Sequence, residues 1–154
     1  MVINSQSEEG YDIFRALLLF DTSHLHKVES AYISILVKDK HEIDNSDKII
    51  IQNGQPAYPH DPFELGDYDY EYYSGNGGEL DGYGIVAYEW NNIVLNETGI
   101  SWINCGGTTK LVLRSLRDIE TYDPGTLEYV VSNSPPLLYV TEEPLPRSFG
   151  TIIG

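Results

Sequence analysis

Cysteine is almost absent from this chain, which contains one, Cys105, in 154 residues. No disulfide can therefore form within the chain, and the fold has to be held by an apolar core. A chain of this length fits one domain and can bury roughly 68–70% of its unfolded surface. It therefore needs neither a metal nor a disulfide merely to have a core. Cys105 itself is interpreted as a small buried residue or a surface thiol without a special role.

Basic residues are also scarce. Nine Lys and Arg stand against 24 Asp and Glu, so that the formal net charge is −15. This balance argues against nucleic acid and against anionic membrane surfaces as partners, because both are bound through Lys and Arg. It is compatible with calcium, with neutral sugars, or with an acidic surface that simply keeps the protein in solution.

Long apolar runs are missing as well. The longest, residues 16–20, is far shorter than the roughly 20 residues that a membrane-spanning helix needs, so we expect no membrane insertion. Met1 leads directly into Val-Ile-Asn-Ser, without a signal peptide. We therefore expect a mature or recombinant piece of a secreted protein, a virion protein, or a protein that does not use the general secretory route.

Two consecutive segments carry the clearest structural pattern. Residues 13–20 form a near-continuous apolar run, which predicts a strand covered on both sides. Residues 28–37 alternate, which predicts a strand with one face on a core and one facing water. One face of this strand consists of Ala31, Ile33 and Ile35, and the other of Tyr32, Ser34 and Leu36. Strands of these kinds are most easily combined in a two-layer sandwich.

Six further segments have the composition of short strands: residues 2–3, 48–52, 92–95, 108–114, 127–132 and 137–141. Residues 97–103 are a candidate short helix with Asn96 as its N-cap. The chain is therefore predicted to be all-β, a jelly-roll β-sandwich of about eight strands with one or two short helices. We assign residues 1–141 to the sandwich and residues 142–154 to an extended C-terminal tail.

Residues 55–88 interrupt the series of strands with a long insertion rich in Tyr, Pro and Gly. A structureless loop of this length is unusual unless it is functional. Within it, residues 67–75 are predicted to form one or two helical turns with Asp67 as the N-cap. If the molecule has a functional face, we expect it here.

Several of these segments resemble a known family. They are Arg15-Ala-Leu-Leu-Leu-Phe-Asp with the alternating strand after it, Thr108-Thr-Lys-Leu-Val-Leu-Arg, and the closing Pro136-Leu-Leu-Tyr-Val. Together, over residues 11–141, they resemble the DNRLRE domains, jelly-roll modules of surface proteins in archaea, bacteria and some viruses. The resemblance implies a binding or structural module, and related modules bind alginate and other polysaccharides. Two departures are a short or missing first strand and a tail without a family counterpart.

A calcium site is one interpretation of the acidic residues in the insertion. Asp61, Glu64, Asp67 and Asp69 lie close together in the sequence, with Glu71 nearby. Ca²⁺ takes six to eight oxygen ligands, which carboxylates at this density can supply. The spacing is not that of an EF-hand, and a solvated acidic loop is the alternative interpretation.

Tyrosines alternate with these carboxylates. Such side chains stack on sugar rings or anchor protein interfaces, because they combine apolar area with a polar tip. The candidate ligand-binding residues are Tyr58, Tyr68, Tyr70, Tyr73 and Trp90. The alternative is that they attach the insertion to the sandwich as a small core of their own.

Nothing in the sequence indicates catalysis. Neither a Gly-x-Ser-x-Gly motif, a phosphate-binding loop nor a dinucleotide fingerprint is present, and no carboxylate stands out as one of an acid–base pair. Arg15 lies inside an apolar strand and must be paired there, with Asp12 or Asp118 as partner. We therefore expect a protein that is not an enzyme.

The first functional hypothesis is a non-catalytic extracellular or virion structural module that assembles with itself or decorates a surface. The alternative is a carbohydrate-binding module that recognises a polysaccharide through its aromatic loop. For assembly, we expect the tail to add a strand to a neighbouring subunit through Phe149, Ile152 and Ile153. The tail could equally fold back onto its own subunit or stay loose.

Overall fold

The computed structural model describes residues 2–3, 5–7, 10–41, 47–121, 128–146 and 150. The strands of these residues are β1 Val2–Ile3, β2 Ser5–Ser7, β3 Gly10–Asp12, β4 Ala16–Asp21, β5 Val28–Leu36, β6 Asp39–His41, β7 Lys48–Asn53, β8 Glu79–Asp81, β9 Trp90–Val94, β10 Thr108–Ser115, β11 Tyr129–Val131 and β12 Leu137–Glu142. The helices are α1 Glu97–Ser101, α2 Leu116–Glu120 and the 3₁₀ helices Leu65–Tyr68, Tyr70–Tyr72 and Gly82–Gly84. None of the described helices is long enough to cross a membrane.

Two antiparallel sheets form the body of the molecule. Sheet A has the strand order β4-β10-β7-β8, and sheet B has the order β12-β5-β9. The core contains side chains of both sheets without any solvent exposure: Ile33, Ile35, Ile51, Ile93, Leu111 and Leu113. The prediction of an all-β sandwich is therefore confirmed. The order of connections that defines a jelly roll stays a prediction.

The alternating strand lies where its pattern indicates. β5 is the central strand of sheet B, and its face of Ala31, Ile33 and Ile35 is buried. The preceding apolar run forms β4, whose apolar side chains are partly or fully buried on both faces. β4 is an edge strand with β10 as its partner in sheet A, and Leu18 is its one buried residue. An edge strand lacks a neighbour on one side, so that most apolar side chains on it are only partly buried.

Several elements of the described chain were not predicted. Three of them are short polar strands, Ser5–Ser7, Asp39–His41 and Glu79–Asp81, which carry no apolar pattern. Their conformation is imposed by the strands with which they pair. The predicted helix after Asn96 is present as α1, and the Asn96 side chain accepts a hydrogen bond from the Gly99 amide at 3.0 Å.

The insertion begins at Gly54 and lies over the outer face of sheet A. Gln52 of β7 donates to the carbonyl of Gly75 at 3.1 Å, and the side chain of Gln55 accepts from the amide of Lys110 in β10 at 3.2 Å. The predicted N-cap is wrong. The first 3₁₀ helix begins after Glu64, and Asp67 lies inside it. The insertion therefore forms a third layer over one sheet, which leaves the outer face of sheet B uncovered by it.

Candidate binding surfaces

Two buried arginines share one carboxylate beneath the insertion. Arg15 contacts both oxygens of Asp118, with Nε to Oδ2 at 2.7 Å and Nη2 to Oδ1 at 2.5 Å. Arg114 of β10 donates its Nε to Oδ2 at 2.6 Å and its Nη1 to the Gln52 side chain at 2.7 Å. All three charged side chains are nearly fully buried. Of the two predicted partners of Arg15, Asp12 and Asp118, the structure shows the pairing with Asp118.

Asp118 is held in its charged form. Burial alone acts to raise its pKa, but hydrogen bonds from Arg15 and Arg114 outweigh burial, so that the pKa lies below its ordinary value. The Ser115 hydroxyl accepts from the Asp118 amide at 3.1 Å and thereby starts α2. A short, unpredicted helix therefore places the anion between the two cations.

Tyr68 and Tyr70 lie above this cluster as half-exposed rings. The Arg15 guanidinium is 4.5 Å from the centre of the Tyr68 ring and 5.8 Å from that of Tyr70. Arg15 Nη1 also donates to the Tyr68 carbonyl at 2.8 Å. The two rings are 47% and 52% exposed, and their positions are supported by the buried cation. They form a small aromatic platform on the outside of the insertion.

The other predicted tyrosines of the insertion are turned inward or paired with each other. Tyr58 stacks on Tyr72 with ring centres 3.8 Å apart. Tyr73 is buried, its hydroxyl donates to the Asp67 carbonyl at 2.8 Å, and burial raises its pKa. These contacts are those of a small core, which was the alternative interpretation of the aromatic residues.

The four predicted calcium ligands do not converge on one point. Asp67 is fully buried, and its carboxylate accepts the amides of Glu64 at 2.8 Å and His60 at 3.0 Å. Asp69 accepts the amide of Glu71 at 3.0 Å, while Asp61 and Glu64 are exposed. Among the described residues, no group of three or more His, Cys, Asp or Glu side chains is arranged to hold a metal ion. Calcium binding stays a prediction.

Trp90 lies on a different surface from the other four candidates. It begins β9 and is paired with Leu36 on the outer face of sheet B, whereas the four tyrosines lie in the insertion over sheet A. The structure therefore divides the predicted aromatic site between two faces of the sandwich.

Within the regular pairing of β12, β5 and β9, the outer face of sheet B carries no charged side chain. Strand pairing places ten side chains on it: Ser30, Tyr32, Ser34, Leu36, Trp90, Asn92, Val94, Leu137, Tyr139 and Thr141. Tyr32 and Tyr139 stack across β5 and β12, with ring centres 4.9 Å apart and an angle of 15° between the rings. The Ser34 hydroxyl donates to the Asn92 side chain at 2.8 Å. We call this set the uncharged face.

Part of the uncharged face was accessible from the sequence. Alternation in residues 28–37 assigned Tyr32, Ser34 and Leu36 to one side of a strand. Tyr139 and Val94 were missed as partners, because the pairing of β12 and β9 with β5 brings them beside Tyr32. A pairing between distant segments leaves no signal within either segment.

A second open region runs between β4 at the edge of sheet A and β12 at the edge of sheet B. Two clefts of about 410 and 380 Å³ lie along it. The first is lined in part by Ala16, Leu18 and Pro135, and the second by Phe20 and Val140. We call this region the seam. The predicted assembly residues Phe149, Ile152 and Ile153 lie outside the described residues.

Two other features are a third cleft and a buried carboxyl group. A cleft of about 560 Å³ beside the insertion is lined in part by Gln55, Trp102, Cys105 and Lys110, and no carboxylate lines it. Burial raises the pKa of Asp47, but this residue accepts the amide of Lys48 at 2.8 Å and lines none of the clefts described.

Compared with known proteins, the chain matches no family model, no curated protein and no solved structure.

Proposed function

We propose that this protein is a non-catalytic structural module of an extracellular or virion surface, which assembles with itself or decorates that surface. The observation that carries the proposal is the uncharged face of sheet B. In a chain of net charge −15, an acidic neighbour can approach this face at a lower electrostatic cost than it can approach acidic parts of the surface. The resemblance to DNRLRE domains supports the same class of protein by analogy.

The size and composition of the uncharged face fit a contact surface. Strands about 4.8 Å apart and rows of side chains about 7 Å apart make the face roughly 10–15 Å by 20 Å. Its large apolar side chains are well exposed, with Val94 at 66% and Tyr139 at 47%. Exposed apolar side chains gathered on one face mark interaction sites more often than scattered ones do. Hydroxyl and amide groups lie between them, as in interfaces that form and dissociate.

Surface attachment can be measured with protein labelled at Cys105, which is exposed and is the only cysteine. We expect the labelled protein to bind the cells or virions that produce it, and Val94→Glu and Tyr139→Glu to abolish this binding. Tyr83→Glu is the matched control, because Tyr83 is 77% exposed and lies outside the uncharged face. Equal binding by the face variants and the control would show that the face is not used.

Carbohydrate binding through the aromatic loop is the second candidate. The observation that favours it is the platform of Tyr68 and Tyr70, whose rings are exposed while Arg15 supports them from below. A rigid aromatic surface loses little entropy on stacking with a sugar. On a glycan array, Tyr70→Ala is expected to remove a polysaccharide signal that Tyr139→Ala leaves unchanged. If no glycan binds the wild-type protein, this alternative fails and the structural proposal stands.

A further inference from the structure

We propose that the seam between β4 and β12 is the acceptor for residues 147–153 of a second copy of this chain, which would add an extended strand along β4. The inference rests on the proposed self-assembly and assigns one surface to it. It concerns a different surface from the uncharged face, so the two can be tested separately.

The acceptor strand has a free edge. All six residues of β4 pair with β10 on one side, and no described strand pairs with it on the other. An unpaired edge is a template for one more strand, because its backbone amides and carbonyls lack partners in a sheet. β12 likewise pairs with β5 on one side and forms the edge of sheet B.

The core is incomplete along the same seam. Core-facing side chains of the central strands, such as Ile33 and Leu113, have no solvent exposure. Apart from the buried Leu18, the core-facing side chains of the two edge strands are only partly buried: Ala16 and Phe20 from β4, and Leu138 and Val140 from β12. The two clefts of the seam lie beside these side chains. An added strand with apolar side chains on alternate positions would cover them.

The tail has the composition and length of such a strand. Residues 147–153 read Arg-Ser-Phe-Gly-Thr-Ile-Ile, with three large apolar residues and no acid. Seven extended residues span about 23 Å, and the six residues of β4 span about 20 Å. Arg147 gives the segment a positive charge, and the mouth of the second cleft carries the carboxylates of Asp21 and Glu142. The tail therefore matches β4 in length and is complementary to the second cleft in charge.

The course of the chain after β12 favours a second copy over the same molecule. The Glu143 amide donates to the Lys27 carbonyl at 3.0 Å, and the next three residues, 144–146, are all exposed. They read Pro-Leu-Pro, and a spacer of this composition is stiff and extended. A return to the seam of its own molecule would require the chain to reverse its direction after Glu143. Donation to a neighbour requires no reversal, and repeated head-to-tail donation gives a filament or a ring.

Disulfide trapping distinguishes the two sources of the strand. In a Cys105→Ser background, one variant carries Ser148→Cys in the tail, and two others carry Ser134→Cys or His24→Cys, one at each cleft of the seam. We expect mixtures of the tail variant with a seam variant to form a disulfide-linked dimer on oxidation. A chain that carries both cysteines should form linked oligomers. A cross-linked monomer would show that the tail fills its own seam, and the absence of any cross-link would show that the seam is not the acceptor; either result overturns the proposal.

Sizing in solution provides the second measurement. Full-length protein is expected to form oligomers, and deletion of residues 147–154 should leave a folded monomer. Phe149→Asp should have the same effect, because Phe149 and Ile153 share one face of an extended strand, whereas Ser148→Ala, on the opposite face, serves as the control and should still assemble. If the deletion leaves the oligomers intact, the inference fails, and the uncharged face remains testable by the surface-binding assay. If Tyr139→Glu loses surface binding but still forms oligomers through the tail, the uncharged face and the seam act as two independent surfaces.

Discussion

Asp118 is the shared anion of two buried guanidinium groups, and its position explains how Arg15 is tolerated directly before the apolar strand β4. Its two oxygens accept three hydrogen bonds from Arg15 and Arg114. The network also holds the insertion, since Arg15 donates to the Tyr68 carbonyl. Two cations and one anion leave a local positive charge, which the rings of Tyr68 and Tyr70 help to stabilise.

Replacing Asp118 by Asn should strongly destabilise the protein. Removal of the anion leaves two buried guanidinium groups without a counter-charge, which costs about 3–5 kcal/mol of the free energy of unfolding. Denaturant unfolding measures this change. Asp61→Asn, at an exposed position, is the control and should stay within about 0.5 kcal/mol of the wild type. A loss of the same small size in both variants would contradict the assignment.

Acid should weaken the fold through the same group. Hydrogen bonds hold the pKa of Asp118 below its unfolded value of about 3.9, against the opposing effect of burial. The stabilisation is thus complete above pH about 4 and is lost as the pH falls through the folded pKa. Unfolding measured from neutral to acidic pH should show a steeper acid loss in the wild type than in Asp118→Asn. If the two curves run parallel, Asp118 does not contribute as described.

If the Asp118→Asn variant does not fold, Asp67→Asn provides the same comparison, because the pKa of Asp67 is also lowered.

At the scale of elements, the insertion is a cover for sheet A. Val112 of β10 and Ile50 of β7 point away from the core between the sheets and are nevertheless buried. Asp67 holds the insertion in its own shape. Its carboxylate accepts hydrogen bonds from the backbone amides of His60 and Glu64, and its Oδ1 lies 2.7 Å from His60 Nδ1. A long loop can be ordered in this way without regular secondary structure of its own.

Asp67→Ala should loosen the insertion more than it loosens the sandwich. The variant leaves two backbone amides without their acceptor and removes the contact with the His60 ring. Limited chymotrypsin digestion should then cut the insertion at its tyrosines faster than in the wild type. Asp61→Ala is the matched control, because Asp61 is exposed in the same loop. Equal cleavage rates in both variants would contradict the proposed role.

Helix α1 lies so close to the turn before β8 that only glycine fits between them. A Cβ added to Gly99 would lie 2.0 Å from the backbone oxygen of Gly77. Helix propensity alone predicts that Gly99→Ala stabilises by about 1 kcal/mol. We expect the clash to prevail, with a net loss of about 1–3 kcal/mol in thermal or denaturant unfolding. Gly66→Ala, which meets nothing within 4 Å, is the control and should not destabilise. A more stable Gly99→Ala variant would show that the backbone moves apart easily.

At the scale of the whole molecule, the net charge of −15 opposes any contact between copies. Raising the salt concentration shortens the Debye length from about 10 Å at 0.1 M to about 3 Å at 1 M. Association through apolar surfaces should therefore strengthen with salt, as measured by sedimentation or light scattering. Ion pairs between copies would be weakened under the same conditions. Oligomers that dissociate as salt rises would thus indicate an interface dominated by charge and would contradict assembly through the uncharged face.

The sequence by itself determined the elements whose signal lies within one segment. Alternation predicted β5 and its two faces, Asn96 marked the start of α1, and the surplus of acids limited the classes of partner. The need for a counter-charge to Arg15 led to Asp118 as a candidate. Each of these inferences uses neighbours in the chain or a local rule of burial, which a sequence shows directly.

The tertiary structure decided which distant residues share a surface. It separated Trp90 from Tyr68 and Tyr70, placed Tyr139 and Val94 beside Tyr32, and made β4 an edge strand. It also turned the carboxylate of Asp67 towards two backbone amides of its own loop, from which it accepts hydrogen bonds. The physical reason is that strand pairing and the packing of the insertion join segments far apart in the chain, and the free energy of those contacts is not encoded in any one segment.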